Sequence, residues 1–126
     1  MIPRNLVLVV EDSADCAATI EMALAPLSGI EVRVLRTAEE ALRSLGGERL
    51  AAVITDIQLP GMDGLQLVAC LRGDKTFSAV PILVISGDSD RDAPTRALAA
   101  GATAFFSKPF SPGAVRQKLE ALIDAQ

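Results

Sequence analysis

An unbroken apolar run, Leu6-Val7-Leu8-Val9-Val10, ends on two adjacent carboxylates, Glu11 and Asp12. Like charges at the end of a buried strand cost free energy unless a cation lies beside them. Three more apolar runs end on groups capable of chemistry: "AVITDIQLPGMDG" carries Asp56, "LVISGDS" carries Ser86 and "AFFSKPF" carries Lys108. Carboxylates without imidazole or thiolate suit a hard cation, Mg2+ or in its place Mn2+, held partly by protein oxygens and partly by water. A Lys and a hydroxyl add groups that hold phosphoryl oxygens. One carboxylate is then free to act as a nucleophile and take up a phosphoryl group as an acyl phosphate. Each residue also has a plainer reading. An acid or Ser after a strand caps a helix, Asp56 with Pro60-Gly61 makes a turn, and a lone Lys is a solvated surface charge. Only a fold that brings all five to one rim favours the chemical reading.

Composition narrows the chemistry. The chain contains no His, which excludes Ser-His and Cys-His catalysis, His-ligated zinc and imidazole acid–base work. A net charge of −4 without a basic block gives no reason to expect nucleic-acid binding. Its apolar runs fall far short of the ~20 residues a membrane-spanning helix needs, and the N-terminal stretch reads as a first strand rather than a signal peptide. Cys16 and Cys70 lie in apolar helical patterns and are expected as reduced thiols in a cytoplasmic protein.

The elements that must position these residues alternate. Strands are predicted at 5–10, 31–36, 51–55, 81–86 and 103–106, the second with the visible alternation of an edge strand. Between them lie helical patterns. Ala17, Ile20, Leu24 and Leu27 follow Ser13 as cap and stop at Gly29, and Thr37 to Glu40 has the form of a capping box ahead of Ala38, Ala41, Leu42 and Leu45. That second helix stops at Gly46-Gly47. Leu65, Val68 and Leu71 face inward between Asp63 and Gly73, Ala97, Leu98 and Ala100 precede Gly101, and Ser111-Pro112 opens the helix of Val115, Leu119 and Leu122. At 126 residues this is one domain, 1–126, structured over about 5–125. Five strand–helix repeats with short connections predict an α/β fold, an open parallel sheet with helices on both faces. Ligands bind such sheets at the carboxyl ends of the strands, where the strand order reverses, and that is where all five residues fall.

In that order and spacing, "VVEDS", "TDIQLPGMDG", "LVISGDS" and "AFFSKPF" resemble the receiver domain of bacterial two-component response regulators over essentially the whole chain. The resemblance implies a flavodoxin-like (βα)5 doubly wound sandwich around five parallel strands. It makes Asp56 the phosphoacceptor, and has Asp12, Asp56, the Gln58 backbone carbonyl and, through water, Glu11 hold Mg2+. Ser86 is then the switch hydroxyl, Lys108 pairs with the phosphoryl group, the Lys108-Pro109 bond is cis, and Phe105 takes the rotating aromatic position, often Tyr. Phe106 is expected in the core. Glu11 departs from the common Asp in its place, lengthening the outer ligand while keeping the charge.

The implied function is a switch that takes a phosphoryl group from a histidine kinase or phosphotransfer protein and hydrolyses it slowly. It signals through the face of the fourth helix, fifth strand and fifth helix, with no separate turnover, no membrane and no nucleic-acid partner. No effector domain is read in the chain, so the output is a downstream protein or a domain elsewhere in a longer regulator. One alternative is a phosphohydrolase of the haloacid dehalogenase type, but that class needs a second acid two residues after its nucleophile, where Gln58 stands. Others are an interaction module without phosphorylation, and a flavodoxin relative, which lacks its phosphate loop here.

Overall fold

The computed structural model describes residues 5–46, 49–87 and 91–125. Gly47, read as part of a helix stop, and Asp88-Ser89 of the fourth motif lie outside the described residues. Ten elements follow in strict alternation: β1 (Asn5–Val10), α1 (Ala14–Leu24), β2 (Ile30–Leu35), α2 (Ala38–Arg43), β3 (Arg49–Thr55), α3 (Gly64–Arg72), β4 (Ile82–Ser86), α4 (Ala93–Ala100), β5 (Ala104–Ser107) and α5 (Pro112–Asp124). The strands form one parallel sheet in the order β2-β1-β3-β4-β5. This is the doubly wound α/β architecture expected from the pattern. The predicted bounds hold to within two residues, the largest shift being β3, which begins at Arg49 rather than 51. β2 is an edge strand, half-exposed along its length, as is β5 on the other side.

Side chains of a strand point to alternate faces, and β1 shows how that sorts the core. Leu6, Leu8 and Val10 pack with Leu67, Val68 and Leu71 of α3, and Ala38, Ala41 and Ala97 complete that layer. Val7 and Val9 pack on the opposite face with Ile20 and Leu24 of α1 and Val115 and Leu119 of α5. Leu8, Ile54, Leu83 and Leu119 are fully buried. Each contributes about 1.5–3 kcal/mol relative to exposure.

Helix starts follow the side chains at their caps. Ser13 accepts from Cys16 N–H at 3.3 Å and Ser111 from Ala114 N–H at 3.3 Å, with Pro112 next in line. Thr37 accepts from Glu40 N–H at 3.0 Å, the hydroxyl half of the expected box. A complete reciprocal box forms at Asp63 and Gln66, with bonds of 2.8 and 2.9 Å. Two side chains differ from the helical patterns. Leu98 is 54% exposed, because α4 buries the Ala93–Ala97 edge and the next residue turns about 100° away from it. Cys70 is exposed on α3. Among the described residues, no helix is long and apolar enough to cross a membrane.

Candidate functional site

Strand order reverses between β1 and β3, and their carboxyl ends are joined by Asp56 N–H, which donates to Val10 O at 3.1 Å. On the other side of β1, Glu11 N–H donates to Leu35 O of β2 at 2.9 Å. The continued ladder sets Glu11 and Asp56 side by side at the rim. On the far side of β4, Ser86 pairs in register with Ser107, and Lys108 N–H donates to Ser86 O at 2.9 Å. Lys108 thus leaves β5 beside the end of β4. The Lys108-Pro109 peptide is cis.

Lys108 Nζ reaches back across the sheet end to Glu11 Oε1 at 2.7 Å and to Asp56 Oδ2 at 2.8 Å. Glu11 and Asp56 are 2% and 8% exposed. The cation that accommodates this buried pair is therefore the ammonium. The two members of the Glu11-Asp12 dipeptide diverge, since Asp12 is exposed while Glu11 turns inward. Even so, one oxygen each of Glu11, Asp12 and Asp56 lie within 4.8 Å of one another, a cluster able to hold a metal ion. Both Glu11 oxygens already have donors, since Oε2 accepts from Ser13 N–H at 3.2 Å. Asp56 Oδ1 accepts from Gln58 N–H at 3.2 Å.

The pair titrates unequally. Burial pushes the Glu11 carboxyl up, but hydrogen bonds from Cys16, Lys108 and Ser13 together outweigh burial and hold it below the ordinary value. Burial also pushes Asp56 up, and with the neighbouring Glu11 charge it prevails over the Lys108 and Gln58 hydrogen bonds, leaving Asp56 above its ordinary value. Burial alone lowers the Lys108 pKa, but the two carboxylates raise it above the ordinary lysine value, so the side chain stays an ammonium. A more basic carboxylate held next to a fixed cation is the environment in which a weak nucleophile gains strength. Cys16, which sequence reasoning placed only in a helical pattern, also borders the site. Burial, then the hydrogen bond to Glu11 and its charge, push the thiol up to about 11, so it is no thiolate ligand. The remaining donor set is oxygen throughout, which fits Mg2+ or Mn2+.

The loop after β3 is tightly drawn. Gly64 N–H donates to Ile57 O at 2.8 Å, and a Cβ on Gly64 would stand 1.8 Å from Asp56 O. Only glycine fits where α3 begins against the backbone of Asp56. Gln58 is exposed beside it. Ser86 is fully buried at the end of β4. Phe105 is half-buried against the core layer of α3 and α4, next to Val84 in register, whereas Phe106 packs half-buried against the opposite layer.

Comparison with known proteins agrees with this geometry. Residues 7–120 match the family model described as the response regulator receiver domain. The chain is 38% identical over 117 residues to the transcriptional regulatory protein PrrA of Mycobacterium tuberculosis, covering 93% of this chain and 49% of that protein. It is 33% identical over 117 residues to the chemotaxis protein CheY1 of Helicobacter pylori, covering 92% of this chain and 94% of that one. The chain thus spans about half the length of PrrA and nearly all of CheY1. It is also similar to the signal receiver domain of a signal transduction histidine kinase from Syntrophus aciditrophicus. That match has a TM-score of 0.86 at 28% identity, covering 96% of this chain and 91% of the other.

Proposed function

The chain belongs to the receiver-domain family of two-component response regulators, and from that premise we propose that it is a switch phosphorylated on Asp56. The observation that supports this assignment most directly is the Lys108 ammonium, bonded at once to Glu11 and Asp56 beside Asp12. The donor is the phosphohistidine of a kinase or phosphotransfer protein. A carboxylate oxygen of Asp56 forms a bond to phosphorus as the phosphorus–nitrogen bond of the donor breaks, and the imidazole leaves with the bonding pair. Asp12 and Asp56, with the Gln58 carbonyl, would hold Mg2+ directly, and Glu11 would act through water. Bound there, the cation would neutralise charge between the carboxylates and the transferring phosphoryl group.

Lys108 then turns from the carboxylate pair toward a phosphoryl oxygen, a short movement for a flexible ammonium already within 2.8 Å of the acceptor. The Ser86 hydroxyl swings to donate to another, and the space it leaves admits Phe105, changing the α4–β5–α5 face on which Leu98 is exposed. Slow attack of water on the acyl phosphate resets the switch without turnover of any other substrate. The output is a downstream protein or an effector domain of a longer regulator, and the setting is cytoplasmic. The position of Gln58 two residues after Asp56 leaves no acid for the phosphohydrolase reading.

The test is incubation with acetyl phosphate and Mg2+, followed by the mass of the intact chain. Wild type should gain one phosphoryl group, and Asp56→Asn or wild type with a chelator should gain none. Undiminished labelling of Asp56→Asn would overturn the assignment.

A further inference from the structure

The carboxylate of Glu39 belongs to α2, not to the sheet rim, yet it reaches the loop that follows the phosphoacceptor. Its Oε2 accepts from Met62 N–H at 3.1 Å, a contact between residues 23 apart in the sequence. Gly61, beside Met62, has a φ of +75°, and a Cβ there would stand 2.6 Å from the same oxygen. Both the conformation and the space at position 61 are therefore matched to the carboxylate. The other oxygen, Oε1, is buried without a hydrogen-bond partner among the described residues. A buried polar atom without a partner is uncommon and calls for a reason.

We propose that Glu39 is a positioning residue for the metal and phosphoryl site, pinning the loop between Asp56 and α3 from its flank. This rests on the proposed reading of Asp56 and its metal shell. Three hydrogen bonds hold the loop among the described residues: Gln58 N–H on Asp56 Oδ1, Gly64 N–H on Ile57 O, and Met62 N–H on Glu39 Oε2. The first two lie within the loop and its ends. The third joins it to a separate element, α2, and so helps fix how the Gln58 carbonyl stands to Asp12 and Asp56. Hydrogen bonding from Met62, ahead of Glu39's own backbone N–H, holds the carboxyl below its usual range, so the bond is charge-assisted. Groups that orient metal ligands from outside the coordination shell affect affinity without touching the ion.

The experiment compares wild type, Glu39→Gln and Glu39→Ala in two measurements, Mg2+ titration followed by NMR and amide exchange of Met62 in metal-free protein. Glu39→Ala should weaken Mg2+ binding about tenfold and speed Met62 exchange, while Glu39→Gln, which keeps an acceptor, restores both. Glu39→Asp, whose shorter side chain withdraws the carboxylate from Met62 N–H, should behave like Glu39→Ala and decides the matter if that variant does not fold. Wild-type Mg2+ affinity and Met62 protection in Glu39→Ala would overturn the proposal, as would a Glu39→Gln that falls as far as Ala. Failure of the wild type to bind Mg2+ would count against the site reading instead, and Met62 exchange would still decide the role of Glu39.

Discussion

Removing the Lys108 ammonium is the sharpest test of how the acid cluster is held. Lys108→Met keeps most of the aliphatic stem and leaves Glu11 and Asp56 buried with no cation between them. Breaking a buried pair by deleting one partner costs about 3–5 kcal/mol, because the remaining charge stays desolvated. Here the Lys108 side chain is 25% exposed and Asp12 opens the rim to water, which brings the expected loss to about 2–3 kcal/mol at neutral pH. For a domain of this size that is a fall in Tm of roughly 8–12 °C, or a matching fall in the urea midpoint with unchanged slope. The loss depends on pH with a definite sign. Without Lys108, Asp56 loses the hydrogen bond that lowers its pKa and keeps the burial and Glu11 charge that raise it. A carboxyl with a raised folded-state pKa contributes stability that is full below its unfolded pKa and is lost as pH rises through the folded one. The gap between variant and wild type should therefore narrow as the pH falls from neutrality into the range where Asp56 takes up a proton. Millimolar Mg2+ should close the gap at neutral pH, since binding to the folded acids substitutes one cation for another. Equal stability of the two proteins near neutrality, or a gap that widens on acidification, would refute the reasoning.

Other perturbations follow from the same contacts. Asp12→Ala should weaken Mg2+ binding more than Glu11→Ala, as measured by calorimetry, because the exposed Asp12 carboxylate would meet the ion directly while Glu11, buried against Lys108, would reach it through water. Arg72 donates to Gly101 O at 2.8 Å, Val80 O at 2.6 Å and Thr103 Oγ1 at 3.3 Å, tying α3 to the ends of two connections. Arg72→Ala should therefore lower stability by about 2–3 kcal/mol in urea titration. Ser86→Ala should still be phosphorylated on Asp56, yet with beryllofluoride in place of the phosphoryl group it should show smaller NMR shifts around Phe105 than wild type. Equal shifts would show that the signal leaves the site by another route.

The elements were legible because their signals are local. The split of β1 into Leu6, Leu8 and Val10 on one face and Val7 and Val9 on the other is a two-residue period, and Ser13, Asp63 and Ser111 cap helices through residues three further on. The place of the candidate site was legible for a related reason. A parallel α/β sheet has one chemical rim, so residue types at successive strand ends name it before any coordinates exist. Pattern alone reached less far at Leu98, where an apolar residue in a helical run lies outside the buried stripe, because a short helix of small residues buries too narrow an edge to include it.

Tertiary structure decided what partners those residues have. Nothing in "VVEDS" says that Glu11 turns inward onto Lys108, 97 residues away, while Asp12 stays in water. Nothing near Glu39 or Arg72 marks one for the loop after Asp56 and the other for Gly101. Periodicity and capping are set by a residue and its neighbours within a turn, so they can be read along the chain. The pairing of a buried charge depends on which strands lie side by side, and the order β2-β1-β3-β4-β5 arises only when the whole sheet closes its core.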